Sequence, residues 1–113
     1  MAAEYSDFSA TFAGGFVTVT VDPNSPNQRV GLIGYSADSD VTDADVEVDN
    51  VNDPLGAPTA TQIYNTLAVP ATTQVLQNRL PAPAWTTKGD QLRVRVAATA
   101  AAQLTVFYTF SAG

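Results

Sequence analysis

Alternation of apolar and polar residues at every second position is the feature that most constrains what this 113-residue chain can fold into. It is clearest in Phe16–Val21, where valines alternate with threonines, at positions 92–96, where arginines separate apolar residues, and at positions 104–110. A period of two residues is typical of β-strands with one buried face, and the β-branched and aromatic residues in these runs favour strands. Weaker patterns predict further strands near positions 29–35, 45–48, 59–64 and 72–77.

Turn-forming residues separate these strands. Asp, Asn, Pro and Gly are concentrated at positions 22–27, 50–58 and 88–90, and small residues at 98–102 predict the turn of a last hairpin. The sequence Pro81-Ala82-Pro83 prevents regular pairing in its stretch, whereas positions 72–80 fit a short helix as well as a strand. Seven or eight short strands predict an all-β fold, a single-domain antiparallel β-sandwich or jelly roll that spans residues 1–113.

The first fifteen residues allow two interpretations. Tyr5, Phe8 and Phe12 are large aromatic residues among small polar ones, and Gly14 and Gly15 follow them. In the first interpretation, positions 8–12 form the first strand and the two glycines form a bend. In the second, residues 1–15 form an N-terminal arm whose aromatic side chains bind a neighbouring subunit, since aromatic residues are enriched at interfaces.

Composition excludes several classes of function. The chain has no His and no Cys, which excludes Ser-His-acid and Cys-His catalysis and removes the usual zinc ligands, so we expect that it is not an enzyme. Five basic residues against eleven acidic ones give a net charge of −6, which disfavours nucleic acids and anionic membranes as partners. The sequence shows no transmembrane run, and we expect no signal peptide.

An acidic stretch at positions 38–49 is the one local cluster with metal-ligand chemistry. Calcium binds six to eight oxygen ligands, so Asp38, Asp40 and Asp43 would hold a calcium ion if their carboxylates converged. The spacing of these residues does not fit an EF-hand, which needs a Gly at its sixth position and a Glu at its twelfth. The other interpretation is a solvated acidic loop that leads into a strand with Val46 and Val48 inward. We expect no other cofactor.

Three further residues have two interpretations each. Arg93 and Arg95 share one face of a strand, where they either contact the acidic loop of a neighbouring copy or protect an exposed face from edge-to-edge aggregation. Trp85 is the only tryptophan. It either stacks on a sugar ring or fills the end of the sandwich core.

The end of the chain resembles a known protein family. Residues 89–96, Gly-Asp-Gln-Leu-Arg-Val-Arg-Val, are followed by a small-residue turn and by the aromatic strand at positions 104–110. This arrangement is similar to the last hairpin of the capsid decoration (cement) proteins of tailed bacteriophages, whose acidic, Cys-free composition rich in Ala, Thr and Val is also similar. The resemblance implies a small, commonly oligomeric β domain that binds the capsid exterior and reinforces it, without catalytic residues.

These observations together predict a virion structural protein at the capsid surface. It would be a homotrimer that binds itself and the capsid protein, with interface residues Tyr5, Phe8, Phe12, Arg93 and Arg95. The alternative is a monomeric β-sandwich module that binds carbohydrate or protein through loops around Trp85 and positions 38–43.

Overall fold

Each run of alternating residues forms a β-strand in the computed structural model, which describes residues 3–41, 43–52, 59–69 and 76–112. These residues form nine strands, and the prediction of an all-β sandwich is confirmed. In chain order the strands are β1 Tyr5–Ser9, β2 Phe12–Ala13, β3 Phe16–Val21, β4 Arg29–Ser39, β5 Asp45–Asn52, β6 Thr59–Ala68, β7 Leu76–Trp85, β8 Gln91–Ala97 and β9 Ala102–Ser111. Within the described ranges no helix is long and apolar enough to cross a membrane.

The strands form two antiparallel sheets with one core between them. The four-stranded sheet has the order β1-β9-β4-β7, and the five-stranded sheet has the order β2-β3-β8-β5-β6. The prediction of a last hairpin is wrong, because the turn at positions 98–102 carries the chain from β8 in one sheet to β9 in the other. The apolar members of the alternating runs point into the core and are at most 8% exposed; they include Val17, Val19, Val21, Leu92, Val94, Val96, Leu104, Val106 and Tyr108. Burial of these side chains, at about 1.5–3 kcal/mol for a Val or Leu, is the main favourable term in folding.

A bulge in β4 explains why its sequence shows weaker alternation than β3 or β8. β4 pairs with β9 on one side and β7 on the other, and the register of both pairings shifts between Leu32 and Gly34. Val30 and Leu32 point inward on one side of the shift, and Tyr35 on the other. A shift of this kind breaks the period of two, so the pattern of one buried face is not continuous along β4.

The two prolines of β7 coincide with this bulge. Arg79 pairs with Gly34 and Ala84 pairs with Leu32, so the pairing with β4 omits residues 80–83. Proline lacks the N–H needed for a ladder and is found at sheet edges and bulges, and β7 is an edge strand. The prediction that this stretch lacks regular pairing is confirmed. The helical alternative for positions 72–80 is wrong from Leu76 onward, whereas positions 72–75 lie outside the described residues.

The N-terminal segment contributes an edge strand to each sheet. Instead of the single strand predicted at 8–12, β1 pairs with β9 and β2 pairs with β3. The chain changes sheets between Ser9 and Phe12, and Gly14 and Gly15 have positive φ values of 63° and 89° in the tight turn from β2 to β3. Left-handed backbone of this kind favours glycine. Binding of these aromatic residues to a neighbouring subunit stays a prediction.

Candidate binding surfaces

The outer face of the five-stranded sheet is polar, and its two arginines are paired with acids of β5. Arg93 lies 2.9 Å from the Asp49 carboxylate, and Arg95 Nε lies 2.7 Å from Glu47 Oε2 in an ion pair without hydrogen-bond alignment. The Arg95 guanidinium also lies 4.5 Å from the centroid of the Phe16 ring. The predicted alternation of β5 is confirmed for Val46 and Val48, which point inward, and for Asp45 and Glu47, which point outward. Asp49 pairs with Arg93 but is only 7% exposed.

These pairings bear on the two interpretations of the arginines. β8 lies between β3 and β5 in the sheet, so Arg93 and Arg95 are not at a sheet edge, and protection of an edge does not explain them. A contact with the acidic loop of a neighbouring copy stays a prediction. It would have to compete with the acids of β5, which already neutralise both guanidinium groups.

Two carboxylates of the acidic stretch accept hydrogen bonds from the backbone. The Asp40 carboxylate accepts N–H bonds from Thr99, Ala100 and Ala101 at 2.8, 2.7 and 3.1 Å. These bonds, that from Thr99 first, lower the pKa of Asp40. Asp38 accepts the N–H of Gln103 at 2.7 Å. Two of the three proposed calcium ligands therefore hold the turn between β8 and β9.

The predicted calcium set does not assemble in the part of the chain that the structure describes. No group of three His, Cys, Asp or Glu side chains that could hold a metal ion occurs there. Asp43 is exposed and has a left-handed φ of 57°, a conformation that Asp tolerates in turns. The solvated-loop interpretation fits the structure better, with the addition that Asp38 and Asp40 stabilise the neighbouring turn.

Trp85 lies on a sheet face rather than at the end of the core. Val30 and Leu32 point into the core, so Gly31 between them belongs to the outer face of the four-stranded sheet, where it pairs with Trp85. A Cβ at position 31 would lie 2.6 Å from Trp85 Cζ3, which means that the indole ring covers Gly31. Trp85 remains 37% exposed. The core-filling interpretation is wrong, and sugar stacking stays a prediction.

A groove continues along the same outer face. It has a volume of about 490 Å³ and is lined by Gly34, Tyr35, Ser36, Asn78, Arg79, Thr105 and Phe107. Gly34 pairs with both Phe107 and Arg79, and a Cβ there would lie 2.6 Å from the Asn78 carbonyl oxygen. Glycine at positions 31 and 34 therefore lets an aromatic ring and a neighbouring strand approach β4 closely.

One ion pair neutralises the charge at this groove. Arg79 donates two hydrogen bonds to Glu4, at 3.3 and 3.0 Å. The Arg79 hydrogen bond is the main reason that the pKa of Glu4 is lowered. Both side chains are exposed, so the pair contributes little to stability, but it joins β7 to the residue that precedes β1 on the opposite side of the sheet.

The predicted alternative site around Trp85 and positions 38–43 does not form as one surface. Gly31, under Trp85, and Asp38 both lie in β4 and are seven residues apart, which is roughly 23 Å of extended strand. The groove residues Arg79 and Phe107 were not predicted. Gly31 and Gly34, inside a strand-like run, were the available signal, because glycine within a strand often marks close approach of another group.

Three exposed aromatic residues form a second surface, on one lateral side of the sandwich. Tyr5, Phe8 and Phe12 are 47%, 61% and 38% exposed. They belong to β1 and β2, which are the edge strands of the two sheets, and β1 also contacts β3. We call these three side chains the aromatic edge.

The aromatic edge is anchored to the rest of the domain at one end. The Tyr5 ring stacks on Tyr108 at 5.8 Å and lies 5.5 Å from Phe110, whereas Phe8 is the most exposed of the exposed large apolar residues. The structure places the three aromatic residues predicted for an interface on two edge strands, where Tyr5 pairs with the inward-facing Tyr108 and Phe8 pairs with Thr105 on the outer face. Arg93 and Arg95 lie in β8, which is in the same sheet as β2 but is separated from it by β3. No family model matches this chain, and no curated protein matches its sequence.

Proposed function

We propose that this protein is a structural component of a virus particle, a non-enzymatic homo-oligomer that binds the capsid exterior and reinforces it. The sequence resemblance of residues 89–110 and of the overall composition to capsid decoration proteins supports a place in the virion. It is a resemblance of residue pattern and not of a hairpin, since β8 and β9 lie in different sheets. The absence of His and Cys from the whole sequence supports a role without nucleophilic catalysis. The antiparallel sandwich, with its continuous valine and leucine core, suits a rigid building block.

The aromatic edge is the observation that carries the proposal. Phe8 and Phe12 expose apolar surface to water on strands whose edges are open to pairing, which is unfavourable for a stable monomer. Tyr5 packs on Tyr108 and Phe110 but remains 47% exposed. Aromatic residues are enriched in the buried centres of interfaces. We infer that a second copy of the chain covers the aromatic edge.

The size of the domain is compatible with a closed ring of three copies. The chain exposes 6043 Å², and a standard interface buries about 800 Å² on each partner. Two interfaces per copy would cover about a quarter of that surface. A cyclic trimer uses two different patches on each copy, and the aromatic edge would supply one of them.

Substitution of the aromatic edge tests the proposal. We expect the double variant Phe8→Ser/Phe12→Ser to be monomeric by light scattering at concentrations at which the unaltered chain is oligomeric. Trp85→Ser is the matched control, since it removes an exposed aromatic side chain outside the aromatic edge, and its native mass should not change. An unchanged mass in the double variant would contradict the proposed interface.

Binding to the capsid is tested separately. The unaltered protein should co-sediment with capsids of the virus that encodes it, and the monomeric double variant should bind more weakly because it loses multivalent attachment. A chain that assembles but never binds such capsids would overturn the virion assignment and leave the assembly surface intact.

A further inference from the structure

We propose a second function, which does not rest on the first: the outer face of the four-stranded sheet binds a neutral carbohydrate chain, with Trp85 as the stacking platform and the adjoining groove as the polar subsite. Tyr5 and Phe12 take no part in this site, whereas Phe8 pairs with the groove residue Thr105 and lies beside the site.

The position of Trp85 suits a stacking platform. One side of the indole covers Gly31, and the residue is 37% exposed, so the ring is supported from below and open to solvent. A sugar ring presents an apolar face of C–H groups that packs on such a surface. Support from the sheet limits the rotamer freedom that a bound ligand would otherwise have to restrict.

The groove offers hydroxyl groups without partners in the described part of the chain. Ser36 and Thr105 line it, and neither side chain forms a hydrogen bond with another described residue. The Asn78 amide does not add to them, because Asn78 pairs with the inward-facing Tyr35 and donates to its hydroxyl at 3.4 Å. A hydroxyl group both donates and accepts hydrogen bonds, so Ser36 and Thr105 can bind sugar hydroxyls in either role.

Charge favours a neutral ligand over an anionic one, and the volume of the groove suits a small ligand. The only cationic side chain that lines the groove, among the residues described, is Arg79, and Glu4 neutralises it at 3.0 Å. The chain as a whole carries a net charge of −6, so anions are repelled at long range. The groove volume of about 490 Å³ lies within the range of about 300–1,000 Å³ that is usual for small-ligand sites.

The experiment uses the intrinsic fluorescence of Trp85, which reports on this site alone because the chain has one tryptophan. The protein is titrated with cellohexaose, xylohexaose, maltohexaose and chitohexaose, and separately with polygalacturonate and heparin. We expect a saturable blue shift with at least one neutral oligosaccharide and none with the two polyanions. Calorimetry then gives the affinity of each variant for the sugar that binds.

Two variants examine the two halves of the site. Trp85→Ala should weaken binding at least tenfold, and Ser36→Ala/Thr105→Val should weaken it severalfold while leaving the indole in place. Phe12→Ser, on the aromatic edge, should bind with unchanged affinity. Circular dichroism and thermal melting confirm that each variant is folded.

Several results would overturn the carbohydrate site. They are no saturable change with any neutral sugar, binding only to polyanions, or equal affinity in the Trp85→Ala protein. A Trp85 emission that shifts with protein concentration alone would instead show that a second copy covers this face. Since the assembly proposal is tested at Phe8 and Phe12, failure of one proposal leaves the other standing.

Discussion

Two glycines on the outer face of β4 provide a matched test of how this sheet is built. The same change, Gly31→Ala or Gly34→Ala, places a Cβ 2.6 Å from a neighbouring atom in both cases. At position 31 the neighbours are ring atoms of Trp85, whereas at position 34 the nearest atom is the backbone oxygen of Asn78. Neither glycine has a positive φ, so the difference between the variants comes from the neighbours.

The two neighbours differ in how easily they can move away from an added Cβ, and this difference sets the loss of stability expected for each variant. A side chain can swing away, so Gly31→Ala should displace Trp85 from the sheet. The lost packing is partly offset by the lower entropy of the unfolded chain, about 0.4–1 kcal/mol, leaving a net loss of about 1 kcal/mol. The backbone at Asn78 can move only if β7 shifts, so Gly34→Ala should cost about 2 kcal/mol, within the usual range for overpacking.

Thermal unfolding and fluorescence separate the two mechanisms. For a domain of this length, 1 kcal/mol corresponds to about 4 °C in Tm, so we expect Tm to fall by about 4 °C for Gly31→Ala and about 8 °C for Gly34→Ala. Only Gly31→Ala should shift Trp85 emission to the red and increase its quenching by acrylamide. If Gly31→Ala changed neither emission nor quenching, the reasoning about the indole's position would be refuted.

Three further predictions concern the charged residues. Arg93→Ala should lower the free energy of unfolding by about 1–3 kcal/mol in urea titrations, because the mostly buried Asp49 carboxylate loses its hydrogen-bonded partner and keeps only Arg95, at 4.0 Å; a loss no larger than that of an exposed-site variant such as Thr18→Ala would contradict this. Backbone N–H bonds lower the pKa of Asp40, so its contribution to stability is present above the unfolded pKa, near 4, and is lost as the pH falls through the lower folded pKa. Asp40→Asn should therefore be less stable at pH 7 and lose less stability on acidification than the unaltered chain; equal stability of the two proteins at pH 7 would contradict this. Millimolar calcium or EDTA should leave Tm unchanged, since Asp38 and Asp40 already accept backbone N–H bonds; a calcium-dependent rise in Tm would revive the metal site.

Local alternation was sufficient to predict the central strands. β3, β8 and β9 each place one residue type inward and another outward over at least six positions, and such a pattern can be read without knowing the partner strand. β1, β4 and β7 were harder, because a bulge, two prolines and a change of sheet depend on neighbours that are distant in sequence. Their bounds follow from pairing rather than from composition.

Prediction of the functional surfaces depended even more strongly on contacts between residues that are distant in sequence. Trp85 looked like a core residue because large aromatic residues usually are buried, and only its pairing with Gly31 places it on the outer face. The aspartates at positions 38 and 40 looked like metal ligands because carboxylate oxygens bind calcium ions and also accept backbone N–H bonds in turns. In contrast, Tyr5, Phe8 and Phe12 belonged to no strongly alternating pattern that would assign them to the core, and they are exposed in the structure; their role at an interface stays a prediction.

The native mass of the unaltered chain, measured by light scattering during size exclusion over a series of salt concentrations, tests the central claim most directly. The account predicts a species of about three times the monomer mass of 11.8 kDa. This mass should not fall as salt is raised, because contacts between apolar aromatic side chains are not screened as ion pairs are. A species of 11.8 kDa at every concentration would contradict the assembly of this protein through its aromatic edge.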